Sequence, residues 1–82
     1  MNARQIEIHW NGGMIGMLQN SDVDNFSLFG EWIPTVGNHY QEFLTVFGEF
    51  GDAWVTIGNC EPRLRGTVEV ITDGKIEIKI RP

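Results

Sequence analysis

The sequence predicts an α+β fold in which a curled antiparallel sheet of about six strands, in the order βββ-α-βββ, packs around one helix. The first observation is a stretch from residue 38 to residue 50 whose apolar residues recur at helical spacing. The second is that the segments on either side alternate as strands do and are separated by turn residues. A single aromatic-rich helix can bury its stripe only against a sheet. A half-closed β-barrel around the helix is the alternative.

Length and composition indicate a single small domain over residues 1–82, because 82 residues with 41% apolar content build only a thin core. No apolar run approaches the ~18 residues that a membrane span needs. The first residues lack the apolar region of a secretory signal. Cys60 is the only cysteine, so an intramolecular disulfide is excluded. These features predict a reduced, cytoplasmic protein.

The first strand alternates clearly over residues 5–10, and Asn11-Gly12 is a strong hairpin signal. A two-residue turn pairs Ile8 with Ile15 and places like residues opposite each other. In this register, Met14 and Leu18 face away from the core.

The polar stretch 20–25 reads as a turn-rich connector, and a third strand follows over residues 26–33. Pro34 ends that strand. Alternation places Phe26, Leu28 and Trp32 on the inner face, and Phe29 and Ile33 on the outer face.

The helix is predicted over Asn38–Phe50, with Asn38 as its N-cap and Gly51 as a left-handed end. Its buried stripe consists of Tyr40, Phe43, Leu44, Phe47 and Phe50.

Three further strands are predicted after the helix, over residues 53–57, 64–71 and 75–80. The facing of the fourth strand is ambiguous, because two large residues, Trp54 and Val55, are adjacent. For the last hairpin, a three-residue loop ending in a left-handed Gly74 is predicted, because it pairs Val70 with Ile76. Ile71 then faces outward.

The titratable residues do not form a catalytic or metal-binding pattern. His9 lies on the outer face of a strand, and His39 lies in the first helical turn without a local nucleophile. Cys60 lies beside Glu61, which disfavours a thiolate. We therefore expect no catalytic residue, no metal and no cofactor, and the sequence favours a non-catalytic protein.

Net charge is −5, and no Lys or Arg occurs between Arg4 and Arg63. This distribution argues against nucleic acid as a partner. The interpretations of the acidic stretch are a functional acidic surface or chance combined with solubility. The candidate acidic residues are Asp22, Asp24, Glu42, Glu49 and Asp52.

The predicted outer face of the sheet carries more apolar surface than a monomer normally exposes. We therefore expect a small protein-interaction module that self-associates as a homodimer or joins a protein partner. A small-ligand-binding or enzymatic domain with a pocket between helix and sheet remains an alternative, as does an acidic inhibitor or immunity-type protein. The predicted interface residues are Met14, Leu18, Phe29, Ile33, Ile71 and Trp54.

Residues 6–47 contain a series of short motifs in a fixed layout: Ile15-Gly16-x-Leu18-x-Asn20, Asp24, Leu28-x-Gly30, Pro34-Thr35 and the helical run from Phe43 to Phe47. This layout resembles a family of small bacterial proteins that has no assigned activity. Members of that family are usually longer and carry more charge in the helix. The resemblance implies a bacterial, cytoplasmic origin and adds no chemistry.

Overall fold

The computed structural model describes residues 5–51, 53–58 and 63–81 and shows six antiparallel strands closed into a barrel, with one helix. The predicted α+β fold and the element order βββ-α-βββ are confirmed. The barrel alternative fits, and the barrel closes fully instead of halfway. The strands are β1 (Gln5–Trp10), β2 (Gly13–Asp24), β3 (Ser27–Pro34), β4 (Trp54–Ile57), β5 (Leu64–Thr72) and β6 (Lys75–Arg81), and the helix α1 spans Asn38–Phe50.

The strands are neighbours in the order β1-β2-β3-β6-β5-β4, and β4 closes the barrel by pairing with β1. Closure is short: Ile8 pairs with Ile57 and His9 with Thr56. One further bond at 2.8 Å, from the Gly58 N–H to the Glu7 carbonyl, extends this seam. Because the sheet closes on itself, its outer surface points in every direction around the barrel axis.

The helix lies at one end of the barrel. It connects the end of β3 to the start of β4, and antiparallel pairing places both of these strand ends on the same side. We call the opposite end the far end. There, β2 turns into β3, β5 begins and β6 finishes.

The helix contributes a buried Phe43 to the core. The centre of its ring lies 5.7 Å from that of the Trp10 ring and 6.1 Å from that of the Tyr40 ring. Phe50 is largely exposed, so the prediction that it extends the buried stripe was wrong. The buried apolar core consists of Ile8, Ile15, Leu18, Leu28, Trp32, Phe43, Ala53, Val55, Ile57, Val68, Ile76 and Ile78.

The predicted C-terminal end of the helix is confirmed, whereas the predicted N-cap is not. Gly51 ends the helix in the left-handed region at φ 79°, and its N–H donates to the Phe47 carbonyl, as predicted. Asn38 was predicted as the N-cap, but it is the first helical residue, and Gly37 precedes it with φ 139°. No side chain caps the start of the helix.

A β-bulge in the first hairpin changes the predicted register. The two-residue turn is confirmed, because Trp10 pairs with Gly13. The register then shifts by one residue, because Ile15 is an extra, unpaired residue on β2. As a result, Ile6 pairs with Leu18, whereas the predicted register pairs it with Met17. Leu18, predicted to face outward, is therefore in the core with 0% of its surface exposed.

The predicted polar connector after this hairpin is mostly strand. β2 continues to Asp24 through a second irregularity between Gln19 and Asp22. Asp24 pairs with Ser27, which leaves Asn25-Phe26 as a two-residue turn. Phe26 was predicted to face the core, but it occupies this turn and is exposed.

The last hairpin turns one residue more tightly than predicted. Thr72 pairs with Lys75, so the turn contains two residues, and the predicted three-residue loop was wrong. Gly74 has φ 82°, which confirms its left-handed conformation.

The bulge predicted near Gly74 lies instead at Glu69. Between the bulge and the turn, Ile71 pairs with Ile76, and Ile71 packs against the core. The prediction that Ile71 faces outward was therefore wrong, and Val70 is exposed in its place.

Candidate interaction surfaces

The predicted interface residues do not form one face. Phe29, Ile33 and Trp54 are exposed and Met14 is half-buried, whereas Leu18 and Ile71 pack inside. Ile33 lies on β3 and Trp54 on β4, three places apart in a closed ring of six strands. These two side chains therefore lie on opposite sides of the barrel, and no single partner surface can cover both.

A shallow groove of about 440 Å³ crosses β3, β6 and β5 on the outer surface. Phe29 and Val70 form two of its walls, and Glu77, which pairs with both of them, lies between. The carboxylate of Glu77 keeps the centre of this groove polar, so the two apolar side chains do not form a continuous patch.

The candidate acidic residues are divided between the two ends of the molecule. Asp22 and Asp24 are on β2 at the far end, whereas Glu42 and Glu49 are on the helix. Asp52 lies outside the described residues. The candidate acidic residues that the structure describes therefore lie in two separate groups, and a functional acidic surface stays a prediction.

Positive charge is concentrated on β5 and β6 near the far end. The Arg81 guanidinium lies 3.7 Å from the Glu69 carboxylate and donates through Nε to the Thr67 hydroxyl at 3.1 Å. The Arg65 guanidinium lies 5.4 Å from the centre of the Trp54 ring, a cation–π contact. Lys79 is exposed on the same surface.

Apolar side chains are exposed at the far end. Val23 is 57% exposed, Phe26 69% and Leu64 52%. Ile6 and Ile80 are half-buried and pack against the core beside them. Large apolar side chains are exposed near the helix as well, at Val36 and Phe50. We call the surface of Phe26, Leu64 and Ile80 the far-end patch, since these three line one shallow groove with Lys79 and Arg81.

Phe26 has a backbone conformation that a large L-residue rarely adopts. Asn25 and Phe26 have φ 57° and 70°, and the corresponding residues of the first hairpin, Asn11 and Gly12, have φ 53° and 88°. Two positive φ values indicate a type I′ turn, whose second position strongly favours Gly. The chain thus uses Asn-Gly in one hairpin and Asn-Phe in an equivalent one. Such strain persists where the surrounding structure holds it, often at functional sites.

Both histidines have structural partners. His9 Nε2 lies 2.9 Å from a carboxylate oxygen of Glu7 on the same strand. His39 Nε2–H donates to the Trp10 carbonyl at 2.6 Å. Cys60 lies outside the described residues, and within them no three His, Cys, Asp or Glu side chains are grouped as metal ligands would be.

The interior between helix and sheet is filled by packed rings. The Trp32 indole N–H donates to the Tyr40 hydroxyl at 3.0 Å. The rings of Phe43 and Phe47 are nearly parallel, with their centres 6.1 Å apart. These contacts occupy part of the space where one alternative drawn from the sequence placed a ligand pocket, and that alternative stays a prediction.

The far-end patch escaped the sequence analysis because its members come from three separate strand ends. One local signal was present: Asn25 is a residue type that tolerates positive φ, and it starts a two-residue gap between Asp24 and Ser27.

No family model, curated protein or solved structure matches the chain, and the resemblance noted over residues 6–47 stays a prediction. In the described part of the chain, the helix is too short and too polar to cross a membrane.

Proposed function

We propose that the chain is a small non-catalytic protein-interaction module whose contact surface is the far-end patch. The observation that carries the proposal is Phe26, a large apolar side chain that is 69% exposed and occupies a turn position favouring Gly. A residue that is both strained and exposed contributes little to the fold, which favours a role in contact with another molecule.

The surroundings of Phe26 suit a rigid contact surface. The Phe26 carbonyl accepts a 2.7 Å hydrogen bond from the Ile80 N–H, which ties the turn to β6. A turn whose backbone is held in place before binding loses less conformational entropy on association. Aromatic residues of this kind commonly provide much of the binding energy at protein interfaces.

A reduced, cytoplasmic location belongs to the same proposal and rests on the single Cys60 in the sequence.

The experiment is a urea titration of Phe26→Gly. Left-handed backbone costs an L-residue roughly 1–2 kcal/mol, and Gly loses about 0.5–1 kcal/mol more entropy on folding. We therefore expect the free energy of unfolding to stay within about 0.5 kcal/mol of the parent or to rise, because the lost side chain was mostly in water.

The matched control is Gly12→Phe in the equivalent turn, where φ is 88° and a Cβ would meet nothing within 4 Å. By the same two effects it should lower the free energy of unfolding by up to about 1.5 kcal/mol, because the backbone strain is partly offset by the smaller entropy loss of a non-glycine residue. If Phe26→Gly destabilises the protein by more than about 1 kcal/mol, Phe26 serves the fold and the proposed function is wrong.

A further inference from the structure

Phe26, at one edge of the far-end patch, lies between one acidic and one basic side chain. Asp24 pairs with Ser27, and Ser27 pairs with Lys79 on the next strand. Two strand spacings separate the backbones of Asp24 and Lys79 by about 10 Å. Both side chains are exposed, and they line one shallow groove on either side of Ser27, together with Glu77 on the strand of Lys79. Phe26 directly precedes Ser27, so this apolar residue lies between opposite charges.

This arrangement is self-complementary. A two-fold axis near Phe26 places the Phe26 rings of two copies together and brings Asp24 of each copy opposite Lys79 of the other. Isologous contacts of this kind pair one patch with itself, so both ion pairs form at once. Asp22 extends the acidic side, which reinforces the same orientation.

We propose that the partner of the far-end patch is a second copy of this chain, joined end to end about a two-fold axis near Phe26. The proposal rests on the proposed function and adds the identity of the partner. It differs from the dimer expected from the sequence, which used the outer face of the sheet.

The area of the far end determines how tightly the dimer should associate. The two shorter dimensions of the chain are 26 Å. Two faces of this width bury on the order of 1,000 Å² in total, which is the range of weak, reversible dimers. The dimer should therefore form at micromolar concentrations and dissociate on dilution. It should also weaken with added salt, because its ion pairs lie at an exposed rim.

The test is sedimentation equilibrium of the parent chain and of two charge reversals, Asp24→Lys and Lys79→Asp. Each variant alone places like charges opposite each other twice, and dimerisation should weaken by about tenfold or more. Mixing the two variants restores opposite charges at both contacts of a heterodimer, so association should return to about the parental level. Circular dichroism of each variant verifies that the barrel is intact.

The matched control is Ile33→Glu, an exposed outer-face position at the helix end of β3. It should leave the dimer unchanged, whereas loss of the dimer in this variant would place the interface on the outer face and overturn the inference.

A parent chain that stays monomeric at high micromolar concentration would also overturn it, as would charge reversals without effect. Neither outcome decides the proposed function, which is tested separately by the urea titration of Phe26→Gly. That titration does not depend on oligomeric state when it is performed on dilute, monomeric protein.

Discussion

His39 and Trp10 join the helix to the first hairpin through a 2.6 Å hydrogen bond from the His39 Nε2–H to the Trp10 carbonyl. The two rings also contact each other, with their centres 5.2 Å apart. His39 lies over Gly13, where an added Cβ would come within 2.8 Å of its ring. Because a carbonyl only accepts, the bond fixes the Nε2–H form of the ring. The start of the helix, which lacks a side-chain cap, is thereby held against the barrel.

The first prediction follows from this contact. His39→Ala should lower the free energy of unfolding by about 1–3 kcal/mol, because it leaves the Trp10 carbonyl without its donor and removes a packed ring. His9→Ala is the matched control, and loss of its half-buried hydrogen bond with Glu7 should cost about 0.5–1.5 kcal/mol. Urea titration compares the two, and equal losses would contradict a structural role for the His39 bond.

The second prediction tests the bulge at Ile15. Leu18→Ala should cost about 2–5 kcal/mol, because the bulge places Leu18 in the core. Met17→Ala should cost about 1 kcal/mol or less, because Met17 is half-buried and pairs with Glu7 and Ile33 on the outer surface. The register expected from the sequence gives the reverse order, so thermal or urea unfolding of the two variants distinguishes the registers directly.

The third prediction compares two glycines. A Cβ at Gly16 would lie 2.6 Å from the Trp32 ring and 2.7 Å from the Ile33 carbonyl oxygen. Gly16→Ala should therefore destabilise the barrel by roughly 1–3 kcal/mol through overpacking.

Gly48 lies inside the helix, where a Cβ would meet nothing within 4 Å. Gly48→Ala should instead stabilise the protein by about 0.5–1 kcal/mol, since Ala is the better helix former. An unchanged or stabilised Gly16→Ala would mean that the close approach at Gly16 is not rigid, and a destabilised Gly48→Ala would contradict the prediction for the helix.

Local patterns in the sequence determined the type of each main element. The spacing of Tyr40, Phe43 and Phe47 is helical in any context, and Gly51 provides the left-handed residue that ends the helix. Asn11-Gly12 selects its hairpin turn because both residues tolerate positive φ. The class of the fold follows from these local features, because one apolar helix among strands has a single way to be buried.

The tertiary structure decided which side chains face the core and which surface is left exposed. The bulges at Ile15 and Glu69 each shift the register by one residue, and a single shift moves Leu18 and Ile71 from the outer to the inner face. Bulges depend on how the whole sheet curves to close, which no local window contains. The far-end patch likewise exists only because closure brings Phe26, Leu64 and Ile80 from separate strand ends to one end of the barrel.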